Sequence, residues 1–127
     1  MSENKHILVV EDERPLAEAI KIKLESTGFN VTVSQTVADA KEALDSEKNF
    51  DAMWLDHYLL GKESGLDLVA KLKEEGSKWR ELPVFVVSNT ASPDKVQSYI
   101  QLGVENYYVK SDHSLESIIN DIKEQLK

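Results

Sequence analysis

The chain has 127 residues, 41% of them apolar, a net charge of −8 and no cysteine. That length suits one domain with its own core, and the missing thiols exclude a disulfide framework, a thiolate metal site and a cysteine nucleophile. The acidic balance with dispersed Lys and Arg speaks against direct nucleic-acid binding, while the lack of a signal-peptide pattern and of any stretch near the roughly 20 apolar residues that span a bilayer leads to an expected cytoplasmic location.

In chain order, the first strand is read from "HILVV" at 6–10. The first helix runs from Pro15 to about Thr27, with proline where a first-turn N–H is dispensable and Gly28 as the left-handed cap. "NVTVS" at 30–34 gives the second strand. A second helix starts at Thr36, spaced from Asp39 as an N-cap pair, and should bury Val37, Ala40, Ala43 and Leu44. "DAMWL" at 51–55 is the third strand; the third helix follows Gly65, with Leu66, Val69, Ala70 and Leu72 on its apolar face, and stops at Gly76. "PVFVV" at 83–87 is the fourth strand, and Ser92 and Pro93 open a helix that closes at Gly103. "NYYV" at 106–109 is the fifth strand, and the last helix carries Leu115, Ile118, Ile119, Ile122 and Leu126 on one stripe.

Strands and helices in strict alternation imply parallel βαβ units with right-handed crossovers, hence an α/β doubly wound parallel sheet covered on both faces. Such sheets hold functional residues beyond the carboxyl ends of their strands, where strand order reverses. At that rim stand Glu11 and Asp12 after the first strand, Asp56 after the third, Ser88 after the fourth and Lys110 after the fifth. Taken singly, each is an ordinary strand-end polar residue. Together they supply oxygen ligands for a hard cation, an acidic nucleophile, and a cation and a hydroxyl able to hold anionic oxygens. The run "VVEDERP" at 9–15 crowds three acids behind a buried strand, which is costly unless something positive sits there.

With these residues the chain resembles the receiver domains of two-component response regulators, of the CheY type, over its whole length, 1–127. The resemblance rests on the pair Glu11 and Asp12, the "LD" that carries Asp56, Ser88 at the end of its strand, and Tyr107 three residues before Lys110. The separations of 44, 32 and 22 residues between Asp12, Asp56, Ser88 and Lys110 are similar to those of the family, with a small excess before Ser88.

The resemblance implies a flavodoxin-like, five-stranded sheet of order 2-1-3-4-5 and a phosphorylation switch. Mg²⁺ (or Mn²⁺) would be held by Asp12, Asp56 and the backbone carbonyl of Tyr58, with Glu11 acting through water. Asp56 would accept a phosphoryl group from a histidine kinase or histidine phosphotransfer protein, with Lys110 neutralising charge and pairing with Asp56 beforehand. The domain would thus promote its own phosphorylation and dephosphorylation without being an enzyme in the usual sense. Ser88 would bond the phosphoryl group and Tyr107 would rotate inward, changing the face formed by the fourth helix, fifth strand and fifth helix, where a downstream protein would bind.

Some residues depart from the family's pattern. Leu60 replaces a usual proline after Asp56, Gly65 comes one residue late, and Ser111 replaces the proline that carries a cis bond after Lys110. A trans Lys110–Ser111 bond is therefore expected, because a non-proline cis bond costs about 2.5–4 kcal/mol. Asn89 stands where a small residue is usual and, with Tyr58 and Thr90, is expected to tune phosphate lifetime.

Other conspicuous residues read as structural: His57 as a solvated loop histidine, His6 and His113 as structural or exposed, Trp54 as core, and Trp79 as a surface aromatic over a packed loop. A flavin carrier of the same architecture would need a glycine- and hydroxyl-rich phosphate loop where this chain has "EDERP". An aspartyl phosphatase would need a second acid after Asp56 to activate a leaving group. A pseudo-receiver that binds partners without phosphorylation is the alternative reading. Lys127 lies one residue beyond the last apolar stripe, so a stand-alone receiver, or one cut from a larger regulator, is expected, as a monomer or a phosphorylation-dependent dimer.

Overall fold

The computed structural model describes residues 4–46, 49–56, 65–89 and 92–126. The elements are β1 (His6–Val10), α1 (Arg14–Ser26), β2 (Asn30–Ser34), α2 (Val37–Asp45), β3 (Ala52–Asp56), α3 (Gly65–Leu72), β4 (Val84–Ser88), α4 (Pro93–Leu102), β5 (Asn106–Val109) and α5 (Leu115–Gln125). The strands form one parallel sheet in the order β2-β1-β3-β4-β5, as the resemblance implies.

The three central strands are apolar almost throughout because helices cover both faces of the sheet. Alternation along each strand then sorts the side chains into two cores. Leu8, Val10, Met53, Leu55, Val84 and Val86 face α2, α3 and α4. Ile7, Val9, Trp54, Phe85, Val87 and Tyr108 face α1 and α5.

Local signals act where expected. The Thr36 side chain accepts a hydrogen bond from the Asp39 N–H, and Ser114 does the same for Ser117 at the start of α5. Gly103 ends α4 with φ +96°, a left-handed conformation that a side chain resists.

Several details differ from the sequence reading. β3 and β4 each begin and end one residue later, so Asp56 and Ser88 are the last residues of their strands rather than the first beyond them. α3 ends at Leu72 rather than at Gly76, and its buried residues are Gly65, Leu68, Val69 and Leu72, the i, i+3, i+4, i+7 stripe, which leaves Ala70 on the exposed side. Trp79 is half-buried rather than a surface cover, with its ring 6.0 Å from Phe50 and its indole N–H donating to the Leu44 carbonyl at 3.2 Å.

Candidate functional site: an acid cluster at the strand-order switch

The chain leaves β1 towards β2 on one side and returns to β3 on the other, which opens a crevice between the carboxyl ends of β1 and β3. Register brings the ends of four strands level there: Val10 lies beside Leu55, Asp56 beside Val87, and Ser88 beside Val109. Glu11 and Asp12 follow β1, Asp56 ends β3, Ser88 ends β4, and Lys110 follows β5.

One ligand oxygen from each of Glu11, Asp12 and Asp56 falls within 4.8 Å of the others. Glu11 is fully buried, Asp56 is 5% exposed and Asp12 is half-buried. The Glu11 backbone N–H donates to the Ser34 carbonyl at 3.0 Å, extending the β1–β2 ladder, and Glu11 Oε2 accepts from the Glu13 N–H at 3.2 Å. These two bonds hold the buried carboxylate in place. Glu11 Oε1, by contrast, has no hydrogen-bond partner among the described residues and faces the Lys110 ammonium, at 3.6 Å.

The Lys110 ammonium lies 3.6 Å from Glu11 and 3.9 Å from Asp56. Its backbone N–H donates to the Ser88 carbonyl at 2.8 Å, so the end of β5 is fixed to the end of β4. Ser88 itself is fully buried. The Lys110–Ser111 bond is trans, in line with the expectation from sequence.

One lysine beside three acids leaves excess negative charge. Burial, and then the nearby Asp56 carboxylate, push the Glu11 carboxyl up to about 8, against smaller opposing effects of the Glu13 N–H and Lys110. A divalent cation fits this set: it would meet clustered carboxylate oxygens, including a Glu11 Oε1 that has no hydrogen bond among the described residues, and remove the repulsion.

Tyr107 is half-buried on β5, with its ring 5.8 Å from that of Tyr99. Asn89 is exposed beside Ser88. Tyr58 and Thr90, together with His57 and Leu60, lie outside the described residues.

The sequence reading passed over Tyr99. It is fully buried in α4, and burial, then Tyr107, then Asp56 raise its hydroxyl above the ordinary tyrosine value. A lone tyrosine on an amphipathic helix carries no mark of what its hydroxyl meets, so only the fold discloses it.

The response regulator receiver domain model matches residues 7–123, and the chain belongs to that family, the receiver domains of two-component signalling. It is 31% identical over 126 residues to the uncharacterized transcriptional regulatory protein YkoG of Bacillus subtilis, covering 98% of this chain and 52% of that one. It is likewise 31% identical over 105 residues to a two-component response regulator of Oryza sativa subsp. indica, covering 83% and 70%. The chain thus spans about half the length of YkoG. A CheY-like receiver domain from Methylobacillus flagellatus superposes with a TM-score of 0.82 at 26% identity, covering 98% of this chain and all of that one (100%). A response regulator receiver protein from Pseudomonas putida shares the fold with a TM-score of 0.87 at 24% identity, covering 98% and 99%.

Proposed function

We propose that this receiver domain is a phospho-accepting switch with Asp56 as its acceptor. The observation that carries the reading is the meeting of Glu11, Asp12 and Asp56 within 4.8 Å, with the Lys110 ammonium at 3.6 and 3.9 Å from two of them. Glu11, Asp12 and Asp56 are the residues that would hold Mg²⁺, with the Tyr58 carbonyl as a further ligand and Glu11 acting through water. When bound, the cation neutralises charge on the phosphoryl group in transfer.

The chain's own residues do the rest. An Asp56 carboxylate oxygen attacks the phosphorus of a phosphohistidine on a kinase or phosphotransfer protein. The O–P bond forms as the P–N bond breaks, and the departing imidazole nitrogen keeps the electron pair. Lys110 stabilises the transferring oxygens, and the Ser88 hydroxyl donates a hydrogen bond to a phosphoryl oxygen at the end of β4. Movement at Ser88 frees Tyr107 to shift and alters the α4-β5-α5 face, where Ile100, 50% exposed, offers an apolar contact to a downstream protein. Asn89, exposed beside Ser88, sets the access of water and so the phosphate lifetime. Asn89→Ala is expected to change that lifetime several-fold.

The test is intact mass after incubation with acetyl phosphate, with and without Mg²⁺, for the native chain and Asp56→Asn. A single Mg²⁺-dependent phosphoryl adduct, lost in the variant, is expected. Metal binding with no adduct would refute the switch and favour a phosphorylation-independent binding module.

A further inference from the structure

At the opposite end of the sheet from the acid cluster, an open cleft of about 490 Å³ lies where α3 and α4 end and β4 begins. Lys73, just after α3, lines it with the other charged residues of the cleft, Arg80 and Glu81 before β4 and Glu105 before β5. Lys73 is half-buried. Its side-chain nitrogen donates to the Arg80 carbonyl at 2.9 Å and to the Leu82 carbonyl at 2.7 Å. Unlike Lys23 and Lys110, it forms no ion pair among the described residues.

The number of acceptors matters. An ammonium has three protons to place, whereas a neutral amine has two and a lone pair. Neutral Lys73 therefore keeps both carbonyl bonds and turns its lone pair to the remaining tetrahedral position, while the third proton of the charged form has no further protein acceptor among the described residues. Burial acts in the same direction, drawing Lys73 below the ordinary lysine value against the smaller raising effects of Glu81 and Glu105. A lysine that gives up its proton readily beside open solvent is a nucleophile. Arg80 supplies a planar cation in the same cleft, suited to phosphate oxygens.

We propose that Lys73 is a site of acylation whose donor is a small acyl phosphate, with the phosphate held by Arg80. The neutral nitrogen attacks the acyl carbon; the C–N bond forms as the bond from that carbon to the bridging oxygen breaks, and phosphate leaves with the electron pair. The surplus proton on nitrogen passes through water to the Glu81 or Glu105 carboxylate. The resulting amide has one N–H where the amine had two, so either the Arg80 or the Leu82 carbonyl loses its donor and the connection from α3 to β4 loosens. The site is independent of the acid cluster and of phosphorylation at Asp56.

The test treats the native full chain with a low dose of acetyl phosphate at pH 8 without divalent cations and follows acetylation of each lysine by peptide mass mapping. Lys5 and Lys123, both exposed, are the internal standards. Lys73 should acetylate about fivefold faster than either, through its larger neutral fraction. Arg80→Gln keeps the backbone carbonyl that Lys73 bonds; it should slow acetylation of Lys73 by acetyl phosphate about threefold and leave the rate with acetic anhydride, a neutral donor, unchanged. Hydroxylamine removes any aspartyl phosphate and spares the amide, so the two adducts are told apart. Lys73 reacting no faster than the exposed lysines would overturn the site, and equal rates for the native and Arg80→Gln chains with acetyl phosphate would overturn the choice of donor.

Discussion

Gly65 stands directly against the hydroxyl of Tyr99: a methyl group at Gly65 would put its carbon 2.8 Å from the Tyr99 hydroxyl oxygen and 3.1 Å from the Asp56 carbonyl oxygen. The first turn of α3, the end of β3 and α4 thus meet at a point with no room for a side chain. Gly65→Ala is expected to destabilise the domain by about 1–3 kcal/mol through overpacking. Tyr99→Phe in that background removes the closer obstacle, so the double variant should recover part of the loss; the Asp56 carbonyl, being backbone, cannot retreat, and recovery stays incomplete. Urea unfolding of both single variants and the double gives the coupling energy. Strict additivity would show that Tyr99 is not what confines Gly65.

Glu11 makes metal-free stability depend on pH. Its carboxyl is raised from an ordinary 4.5 to about 8, chiefly by burial and then by Asp56. Between those values the folded state holds a proton that the unfolded state has released, so stability falls as pH rises through that window. Glu11→Gln keeps the shape and cannot ionise. It should flatten the slope and make the metal-free protein more stable than the native chain at pH 8 by about 1–3 kcal/mol. Urea midpoints at pH 5, 6.5 and 8 without divalent cations measure this, and an unchanged slope in the variant would assign the pH dependence elsewhere.

At the opposite end of the sheet, Trp79 closes an aromatic row. Its ring is 6.0 Å from Phe50, whose own ring is 4.6 Å from His6. The indole also ties the segment after α3 to the last turn of α2 through the Leu44 carbonyl. Trp79→Ala should cost about 1–3 kcal/mol, and Trp79→Phe, which keeps a smaller ring and loses the hydrogen bond, about 0.5–1.5 kcal/mol. Equal losses in thermal or urea unfolding would mean the stacking contributes little.

The alternation of apolar strands with capped helices made the architecture readable in advance, because Thr36, Gly103 and the apolar residues of β1 and β4 each carry a local signal strong enough to survive tertiary context. The acid cluster was readable too, since parallel topology forces Glu11, Asp12, Asp56, Ser88 and Lys110 to one rim. What stayed hidden depends on contacts between residues far apart in sequence. The buried stripe of α3 starts at Gly65, whose missing side chain carries no hydrophobic signal, so the register that buries Leu68 and exposes Ala70 depends on a close approach only the fold reveals. Likewise, Trp54 was legible as core, but the lack of a partner for its N–H among the described residues was not. Nothing near Gly65 in sequence announces a tyrosine 34 residues later as the reason for its missing side chain.

Lys110 is pulled two ways, and one substitution separates them. In the metal-free protein it is the cation facing Glu11 and Asp56, at 3.6 and 3.9 Å. Lys110→Met retains the backbone N–H that donates to the Ser88 carbonyl, so the β4–β5 edge should persist. The acids then lose their neighbouring positive charge, and a divalent cation meets a more negative site without competing with an ammonium. Mg²⁺ affinity should rise about tenfold, in keeping with a charge about 4 Å away at partial burial. Phosphoryl transfer from acetyl phosphate should nevertheless slow by a factor of ten or more, because in the proposed switch the ammonium would also stabilise the transferring oxygens. Calorimetric Mg²⁺ titration and time-resolved intact mass read the two effects separately. A variant that binds the metal more weakly would show that Lys110 organises the acids rather than competing for them, and one that transfers at the native rate would remove it from the transfer step.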